Sequence, residues 1–363
     1  MNSFVSHLKK LDWLLIITAV LLVGIGLVSI YSSSLDRGDF SNLKKQIVFF
    51  GIGFLLMLVI SFFDYRVLRN DPHLILILYS LCLIALLGLF FFAPEIRGTR
   101  GWYKLGVISF DPIEPTKILL LILLAKYFSM RHIEMYQTRH ILISGVYVLL
   151  PACLIFFQPD LGSVLILIAL WIGILLISGI KLRHFLILVF CGFLVLACSW
   201  SLVLKDYQKE RIISFINPQI DTQGISWSVN QSKIAIGSGG FFGQGLGKGS
   251  QTQYGFLTEP QTDFIFASLA EEFGLFGVTL LLFLFCFLIW QIFKIGLYAL
   301  NNFSRLFSAG FAVLVFSQVF INIGMNLGLL PIIGISLPLV SYGGSNLLMM
   351  FIGLGILQSI KTH

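Results

Sequence analysis

Long apolar stretches separated by short polar segments run through most of the 363 residues. A membrane-spanning helix needs about 20 mainly apolar residues, so each long stretch without charge predicts one span. These stretches predict spans over 13–35, 46–63, 72–94, 140–159, 161–180, 184–204 and 273–293. The uncharged sequence 306–360 is long enough for two more, over 306–325 and 341–360, with a short connection that dips into the membrane where Pro331 and Pro338 interrupt it.

One further helix is predicted although it carries charge. It begins near Pro112, because Pro115 suits a first helical turn, where a missing N–H is no loss. Glu114 and Lys117 are three residues apart and share a face of this helix, where they can form an ion pair. The predicted fold is therefore all-α: a polytopic membrane protein with about ten transmembrane helices, in a single domain over 1–363.

The segment 205–262, between the seventh and eighth predicted spans, is the only long polar stretch in the chain. It ends at Asp263, where the sequence becomes apolar again. Burying a charge there costs several kcal/mol unless it is paired or hydrated. Asp263 therefore either caps the next helix or belongs to a functional site, and the residues alone leave both alternatives open.

Three other acidic residues lie at or within predicted spans. Asp160 opens the sixth span, where an N-cap role explains a carboxylate well. Glu271 and Glu272 lie one to two turns inside the eighth helix, where two acids are costly. We expect at least one of them to face the bundle interior or to meet a partner such as Lys117.

The composition agrees with a membrane protein. Hydrophobic residues make up 57% of the chain, charged residues 11%, and the mean hydropathy is +0.94, whereas a soluble domain has about 25% charged residues. The net charge is +7. The basic residues are dispersed among loops instead of forming one face, so the charge does not indicate a nucleic-acid partner.

The distribution of basic residues predicts the orientation in the membrane, because cytoplasmic loops carry more Lys and Arg. One side holds twelve in its termini and loops: Lys9, Lys10, Arg66, Arg69, Lys126, Arg131, Arg139, Lys181, Arg183, Lys294, Arg305 and Lys361. The short loops of the other side hold six: Arg37, Lys44, Lys45, Arg97, Arg100 and Lys104. Both termini are predicted to be cytoplasmic, and the segments 95–112 and 205–262 to face outward.

Two outward segments have candidate chemistry and a simpler alternative. The basic stretch 97–104, with Trp102 and Tyr103, is also typical of an interfacial loop. The glycine-rich run 237–250 fits neither a Walker pattern, which would need glycine at Phe242, nor Gly-x-Gly-x-x-Gly, so no nucleotide cofactor is predicted. Its backbone amides are either a phosphate-binding nest or part of a flexible loop.

Motifs along nearly the whole chain resemble the SEDS family (shape, elongation, division and sporulation proteins), and within it the RodA-like branch. They are Arg100-Gly101-Trp102, Pro112-x-Glu114-x-x-Lys117, Gln158-Pro159-Asp160-Leu161-Gly162, Arg211-Ile212 with Asn217-Pro218, Gln231-Ser232-Lys233, Gly243-x-Gly245, Thr262-Asp263-Phe264-Ile265-Phe266-Ala267 with Glu271-Glu272, and Ser341-Tyr342-Gly343-Gly344-Ser345. The chain departs from the family over 111–117, which reads Asp-Pro-Ile-Glu-Pro-Thr-Lys where the family usually reads closer to Gln-Pro-Ser-Glu-Phe-Ala-Lys.

The resemblance implies a peptidoglycan glycosyltransferase. Such an enzyme polymerises lipid II, a disaccharide-pentapeptide on undecaprenyl pyrophosphate, on the outer face of the bacterial cytoplasmic membrane. Family members work with a class B penicillin-binding protein, a transpeptidase, and the RodA-like branch belongs to the machinery that elongates the cell. The resemblance also suggests a divalent cation, Mg²⁺ or Mn²⁺, as cofactor. The expected surroundings are membrane lipid and the lipid II substrate.

The family motif assigns Asp263 as the general base that takes the proton of the attacking sugar hydroxyl. Desolvation at the membrane boundary is expected to raise the pKa of this weak base. Diphosphate is a good leaving group, so one carboxylate suffices where a glycosidase usually needs two. Basic groups are expected around the diphosphate, with Asp160 and Glu114 positioning them. The candidate substrate-binding residues are Lys117, Glu114, Asp160, Arg211, Lys233, Arg97, Arg100 and Trp102.

Three alternatives remain at this point. The chain is a lipid II flippase or transporter, in which polar groups within the helices line a path. It is a division or sporulation paralogue of the same family. Or it is a scaffold that only holds a partner synthase. The clustering of the polar candidates at one face favours the enzyme.

Overall fold

The computed structural model describes residues 2–36, 38–94, 101–106, 108–130, 138–202, 206–216 and 225–363. Within these ranges the helices are α1 (Asn2–Lys10), α2 (Trp13–Ser34), α3 (Ser41–Phe62), α4 (Arg66–Asn70), α5 (Pro72–Phe92), α6 (Ile113–Ser129), α7 (Thr138–Phe157), α8 (Leu161–Ile177), α9 (Leu182–Leu202), α10 (Asp206–Ile216), α11 (Ile225–Ser238), α12 (Ser250–Gln253), α13 (Ile265–Tyr298), α14 (Asn302–Asn326) and α15 (Gly344–Thr362). Strands β1 (Tyr103–Leu105) and β2 (Ile108–Phe110) form an antiparallel hairpin, with Tyr103 opposite Phe110.

All ten predicted membrane helices are present, as α2, α3, α5 to α9 and α13 to α15. Seven of the helices in the described ranges are long and apolar enough to cross a membrane. The chain is thus an all-α polytopic membrane protein. Helices α3, α13 and α14 begin four or more residues before their predicted uncharged stretches: α3 takes in Lys44 and Lys45, and α13 begins at Ile265. A charged residue ends an apolar stretch of sequence, but a helix continues past it when the side chain reaches water or a buried partner.

The centre of the bundle is formed by α6, α14 and α15, which contact each other and the surrounding helices α3, α8 and α13. Glycines allow the close approaches: a methyl group on Gly310 of α14 would overlap Leu121 of α6, and one on Gly353 of α15 would overlap Phe311 of α14. Leu121 and Phe311 are fully buried. This central packing fixes the ends of α6, α14 and α15 relative to each other.

The start of α2 and the end of α15 lie together, at the opposite end of the bundle from the site described below. Lys361 Nζ is 2.6 Å from Asp12 Oδ2, and the Asp12 backbone N–H donates to Gln358 Oε1 at 2.8 Å. The first span therefore begins on the same side of the bundle on which the last span ends, as an even number of spans requires.

The segment 205–262, expected from its polarity to be a loop, contains α10, α11 and α12 within its described part. A small apolar cluster of Ala235, Leu257, Phe264 and Ala267 attaches α11 to the start of α13. The basic stretch before residue 105 likewise continues into the β1–β2 hairpin instead of forming only an interfacial loop. Local polarity predicts that these segments lie outside the membrane, but it does not predict their secondary structure.

Helix α13 is interrupted at Gly274, whose φ of 61° and ψ of −161° are not helical. The glycine-rich run supplies the backbone partners that the interruption leaves open. The N–H groups of Gln244 and Gly245 donate to the carbonyls of Glu271 and Glu272 at 2.9 and 3.0 Å, which caps the first part of the helix. On the other side of the break, Leu275 and Phe276 donate to the carbonyls of residues 240 and 241 at 2.9 and 3.1 Å. The flexible-loop alternative is therefore wrong, and the amides of Gln244 and Gly245 are not available to a phosphate.

We predict that Gly243→Ala destabilises the protein by about 3 kcal/mol or more. Gly243 has a φ of 80°, which costs an alanine about 1–3 kcal/mol, and a methyl group there would overlap the Glu272 carbonyl. Thermal unfolding in detergent measures the effect. Gly237→Ala is the control, because Gly237 lies in α11 with open space at its Cβ position. Equal melting temperatures for the two variants would contradict the prediction.

Candidate active site

Asp263 lies in the turn that leads into α13, and its side chain is partly exposed. The turn is closed by hydrogen bonds from the N–H groups of Thr262 and Phe264 to the carbonyl of Glu259, at 3.2 and 3.3 Å. The N-cap residue of α13 is Phe264, one position after Asp263, and the Phe264 side chain makes no capping hydrogen bond. Asp263 therefore does not occupy the N-cap position of α13, and its carboxylate lies at the entrance of this helix.

Two asparagines of α14 fix the backbone of Asp263. The side-chain amides of Asn322 and Asn326 each donate to the Asp263 carbonyl oxygen at 3.0 Å. Both asparagines are fully buried, and Asn322 also donates to the Ile335 carbonyl at 2.7 Å. The sequence analysis missed these residues, although two amides spaced four apart within an apolar helix were a usable signal.

The residues 327–343 between α14 and α15, which we call the connecting segment, contain no helix or strand. The predicted interruption of the helices around the two prolines is thus present. Arg211 Nη1 of α10 donates to the Ile332 carbonyl at 3.3 Å. Two residues further on, a methyl group on Gly334 would be 3.6 Å from Asp263 Oδ2. The Arg211 guanidinium group and the Asp263 carboxylate therefore lie beside residues of the connecting segment that are only two positions apart.

Glu114 and Lys117 form the predicted ion pair at the start of α6. Lys117 Nζ is 2.7 Å from Glu114 Oε1, and the two residues are only 3% and 8% exposed. Glu114 Oε1 also accepts from Asn346 Nδ2 at 3.4 Å, and Asn346 Nδ2 donates to Ser336 Oγ of the connecting segment at 3.2 Å. The pair is thus buried, satisfied by several polar groups and joined to the segment that contacts Asp263.

Asp160 caps α8, as one alternative predicted. Its Oδ1 accepts from the Ser163 N–H at 3.0 Å and its Oδ2 from the Ser163 hydroxyl at 2.7 Å. In the first turn of α8, a methyl group on Gly162 would be 2.6 Å from the Ile333 carbonyl oxygen. The start of α8 therefore packs directly against the connecting segment, and the capping role does not remove Asp160 from the neighbourhood of the site.

A fourth carboxylate, Asp111, was overlooked because the sequence analysis treated it only as a departure from the family pattern. Its Oδ1 accepts from the Ile113 N–H at 2.8 Å, and its own N–H donates to Ser345 Oγ at 3.1 Å. The pKa of Asp111 is raised to about 8, chiefly by burial and then by the nearby Glu114 carboxylate, against the lowering effects of the bond from Ile113 and the charge of Lys117. The site thus contains a carboxyl group whose pKa lies well above the ordinary value for aspartate.

This raised pKa predicts a pH effect on stability. The folded protein holds a proton on Asp111 up to about pH 8, whereas the unfolded chain releases it near 3.8. Between these values the native state binds more protons, so the free energy of unfolding falls as the pH rises. We expect Asp111→Asn to show a smaller drop in melting temperature between pH 5 and pH 8.5 than the wild type. Asp64→Asn, at an exposed carboxylate near Arg66, should behave like the wild type; an identical drop in all three proteins would contradict the prediction.

The other predicted substrate-binding residues have different positions. Lys233 lies exposed on α11, with its side-chain end against Gly328 of the connecting segment. The neighbouring Ser232 hydroxyl donates to the Asn326 carbonyl at 2.8 Å, which places α11 beside the end of α14. Trp102 is exposed directly before β1. Arg97 and Arg100 lie outside the described residues.

Glu271 and Glu272 are both buried, which agrees with the expectation that at least one of them faces the bundle interior; the hydrogen-bond partners of the two acids among the described residues do not include Lys117. Glu271 accepts from the N–H groups of Gln251 and Thr252 at 2.7 and 3.0 Å and from the Thr252 hydroxyl at 2.7 Å. Glu272 accepts from the Ser32 hydroxyl and, at 3.3 Å, from the N–H of residue 247. Backbone amides and hydroxyls thus bind both oxygens of Glu271 but only Oε1 of Glu272, because the polar segment folds back over these acids.

Within the described part of the chain, no three His, Cys, Asp or Glu side chains are grouped so that they could hold a metal ion. What the site offers is a carboxylate at the mouth of the bundle and basic groups around the connecting segment. The carboxylate can accept a proton, and the basic groups can stabilise an anionic leaving group. This combination suits the transfer of a group from a phosphate or diphosphate to a hydroxyl.

Comparisons with known proteins match this chain along its length. The model of the cell cycle protein family FTSW_RODA_SPOVE matches residues 12–363. The peptidoglycan glycosyltransferase MrdB of Escherichia coli is 36% identical over 351 residues, covering 96% of this chain and 93% of MrdB. The stage V sporulation protein E of Bacillus subtilis is 36% identical over 364 residues, covering 97% of each chain.

Solved structures agree with these relatives. A chain of a peptidoglycan synthase complex that coordinates polymerization and crosslinking matches with a TM-score of 0.83 and 30% identity over 97% of each chain. The rod shape determining protein RodA of Thermus thermophilus matches with a TM-score of 0.72 and 30% identity, over 97% of this chain and 96% of RodA. The architecture described above is therefore that of known membrane proteins of this kind.

Proposed function

We propose that this protein polymerises lipid II into glycan strands on the outer face of the cytoplasmic membrane. The premise is that the chain belongs to the FtsW, RodA and SpoVE family of cell cycle proteins and is a peptidoglycan glycosyltransferase. The observation that carries the proposal is the position of Asp263. Asp263 precedes the N-cap residue of α13, and its carboxylate lies beside Gly334, two residues from the Ile332 carbonyl that accepts from Arg211.

In the proposed reaction, Asp263 accepts the proton of the sugar 4-hydroxyl as this oxygen attacks the anomeric carbon of a second lipid-linked sugar. A new glycosidic C–O bond forms, and the bond from the anomeric carbon to the diphosphate breaks. Undecaprenyl diphosphate leaves with the electron pair, so no acid is needed to protonate it. Arg211, Lys117 and Lys233 stabilise the negative charge that develops on the leaving group.

Glu114 and Asp160 act as positioning residues in this proposal. Glu114 holds the ammonium group of Lys117 through the buried ion pair, and Asn346 holds Glu114. Asp160 fixes the start of α8 against the connecting segment through its cap on Ser163. Neither carboxylate then reacts, and both set the geometry of groups that do. Trp102, Arg97 and Arg100 are proposed to contact substrate from the outer surface.

The relatives support a partner and a cellular role as proposals. The chain of the synthase complex supports assembly with a class B penicillin-binding protein, a transpeptidase that crosslinks the strands. MrdB and RodA support a role in cell elongation, while the equally similar sporulation protein makes a division or sporulation role the alternative. The excess of basic residues on one side supports cytoplasmic termini.

Polymerisation in detergent tests this proposal. The purified protein, alone and with its class B partner, is given fluorescent lipid II, and the products are separated on a gel. Glycan ladders that need this chain support the enzyme, whereas ladders that the partner makes alone would indicate a scaffold. Movement of lipid II across vesicle membranes without any ladder would indicate a flippase. Repeating the assay with a chelator tests the predicted dependence on Mg²⁺ or Mn²⁺, which no step above requires.

A further inference from the structure

A polar stripe runs down α14 from the candidate base into the membrane. Gln318, Asn322 and Asn326 follow each other at intervals of four residues, so they lie roughly above one another on the helix. The upper two bind the Asp263 carbonyl. Gln318 is therefore one turn, about 6 Å, below a residue that contacts the candidate base.

Gln318 is completely buried, and neither atom of its side-chain amide has a hydrogen-bond partner in the described part of the chain. Buried amides are normally satisfied, and an unsatisfied one lowers stability. Leucine or methionine would fill the same space without this cost. A residue with such a cost, one turn below the site, indicates a function for its polar atoms.

The level of Gln318 in the bundle is that of the Glu114–Lys117 pair. Gly310, two turns before Gln318 on α14, contacts Leu121 of α6. Near the end of α14, Asn322 donates to the Ile335 carbonyl of the connecting segment, and just before α6, the Asp111 N–H donates to Ser345 at the start of α15. The end of α14 and the start of α6 therefore lie at the same end of the bundle, and the two helices are antiparallel. Moving two turns from this contact towards the connecting segment reaches Gln318 on α14 and the turn containing Glu114 on α6.

Lys117 has hydrogen-bond donors without a partner among the described residues, which complements the unpartnered amide of Gln318. Its ammonium group has three N–H donors, and the described residues provide one hydrogen-bond partner, Glu114 Oε1. The side chain is 3% exposed, so bulk water does not satisfy the other two. An amide with free donor and acceptor atoms and an ammonium group with free donors thus lie at the same level of the same three-helix centre.

We propose that Gln318 is a positioning residue for this glycosyltransfer site, and that its amide holds the Lys117 ammonium group through bridging water. A buried water usually makes about three hydrogen bonds, which the amide, the ammonium group and the Glu114 carboxylate together supply. The bridge fixes the direction in which Lys117 presents its remaining donor to the leaving diphosphate. This inference rests on the proposed function, because it assigns a residue to that reaction.

The test compares Gln318→Met with Gln291→Met in the lipid II polymerisation assay. Gln291 of α13 is also buried and has an unpartnered Oε1, but it lies far along the helix from Asp263. We expect Gln318→Met to lower the turnover at saturating lipid II about tenfold, which corresponds to the loss of roughly one hydrogen bond to a charged group. KM should stay within about twofold of the wild-type value, and the melting temperature should stay the same or rise. Gln291→Met should keep its turnover, and Gln318→His, which retains a donor and an acceptor, should recover most of it.

Two results would overturn the inference. One is full turnover by Gln318→Met; the other is a loss that follows a lower melting temperature and that Gln291→Met shares. If the wild-type protein itself makes no glycan, the proposed function fails instead. The two failures are distinguishable, because only the second removes activity from the wild-type protein.

Discussion

Replacing Asp263 by asparagine is expected to lower the rate of lipid II polymerisation on the order of a thousandfold, the range typical for loss of a general base. Asparagine keeps the shape of the side chain but cannot take the hydroxyl proton. The fold should survive, because Asn322 and Asn326 hold the backbone carbonyl of residue 263 and not its carboxylate. Glycan ladders from fluorescent lipid II measure the rate, and thermal unfolding checks the fold.

Glu259→Gln is a matched control for this variant. Glu259 is an exposed acid four residues earlier in the same turn, so its replacement also removes a negative charge near the entrance of α13. We expect this variant to polymerise at close to the wild-type rate. Normal glycan ladders from folded Asp263→Asn would show that Asp263 is not the base.

Replacing Lys117 by methionine is expected to have the second largest effect. It leaves the Glu114 carboxylate buried without its ammonium partner, which costs about 3–5 kcal/mol of stability. It also removes a positive charge from the proposed leaving-group site, so polymerisation should be lost. Chemical denaturation in detergent and the gel assay measure the two effects.

The double variant Lys117→Met with Glu114→Gln separates stability from chemistry. It removes both buried charges, and we expect it to recover most of the lost stability, because a neutral buried pair avoids the desolvation cost. Its polymerisation should remain lost. Recovery of activity together with stability would indicate that the ion pair only supports the fold.

The membrane helices could be predicted from the sequence because a bilayer requires long apolar stretches, and their lengths are visible in the residue order. The Glu114–Lys117 pair and the Asp160 cap were also predictable, since both depend on contacts within one helix. Helical spacing and cap position are enough to specify such contacts.

Contacts between distant parts of the chain could not be predicted in this way. The break at Gly274 exists because the backbone of residues 240–245 satisfies both helix ends, and nothing in the local sequence at 274 indicates that partner. The hold of Asn326 on Asp263 joins residues 63 positions apart. The raised pKa of Asp111 likewise depends mainly on its burial in the folded bundle, and to a smaller extent on the carboxylates of Glu114 and of Asp160 at the start of another helix.

The pH dependence of polymerisation in wild type and Asp263→Asn tests the central claim most directly, because it asks whether this carboxylate exchanges a proton during the reaction. If Asp263 is the base, kcat/KM of the wild type rises with pH along an acid limb of unit slope, and the residual activity of Asp263→Asn lacks this limb. The same acid limb in both proteins would contradict the account, because the essential proton acceptor would then be another group.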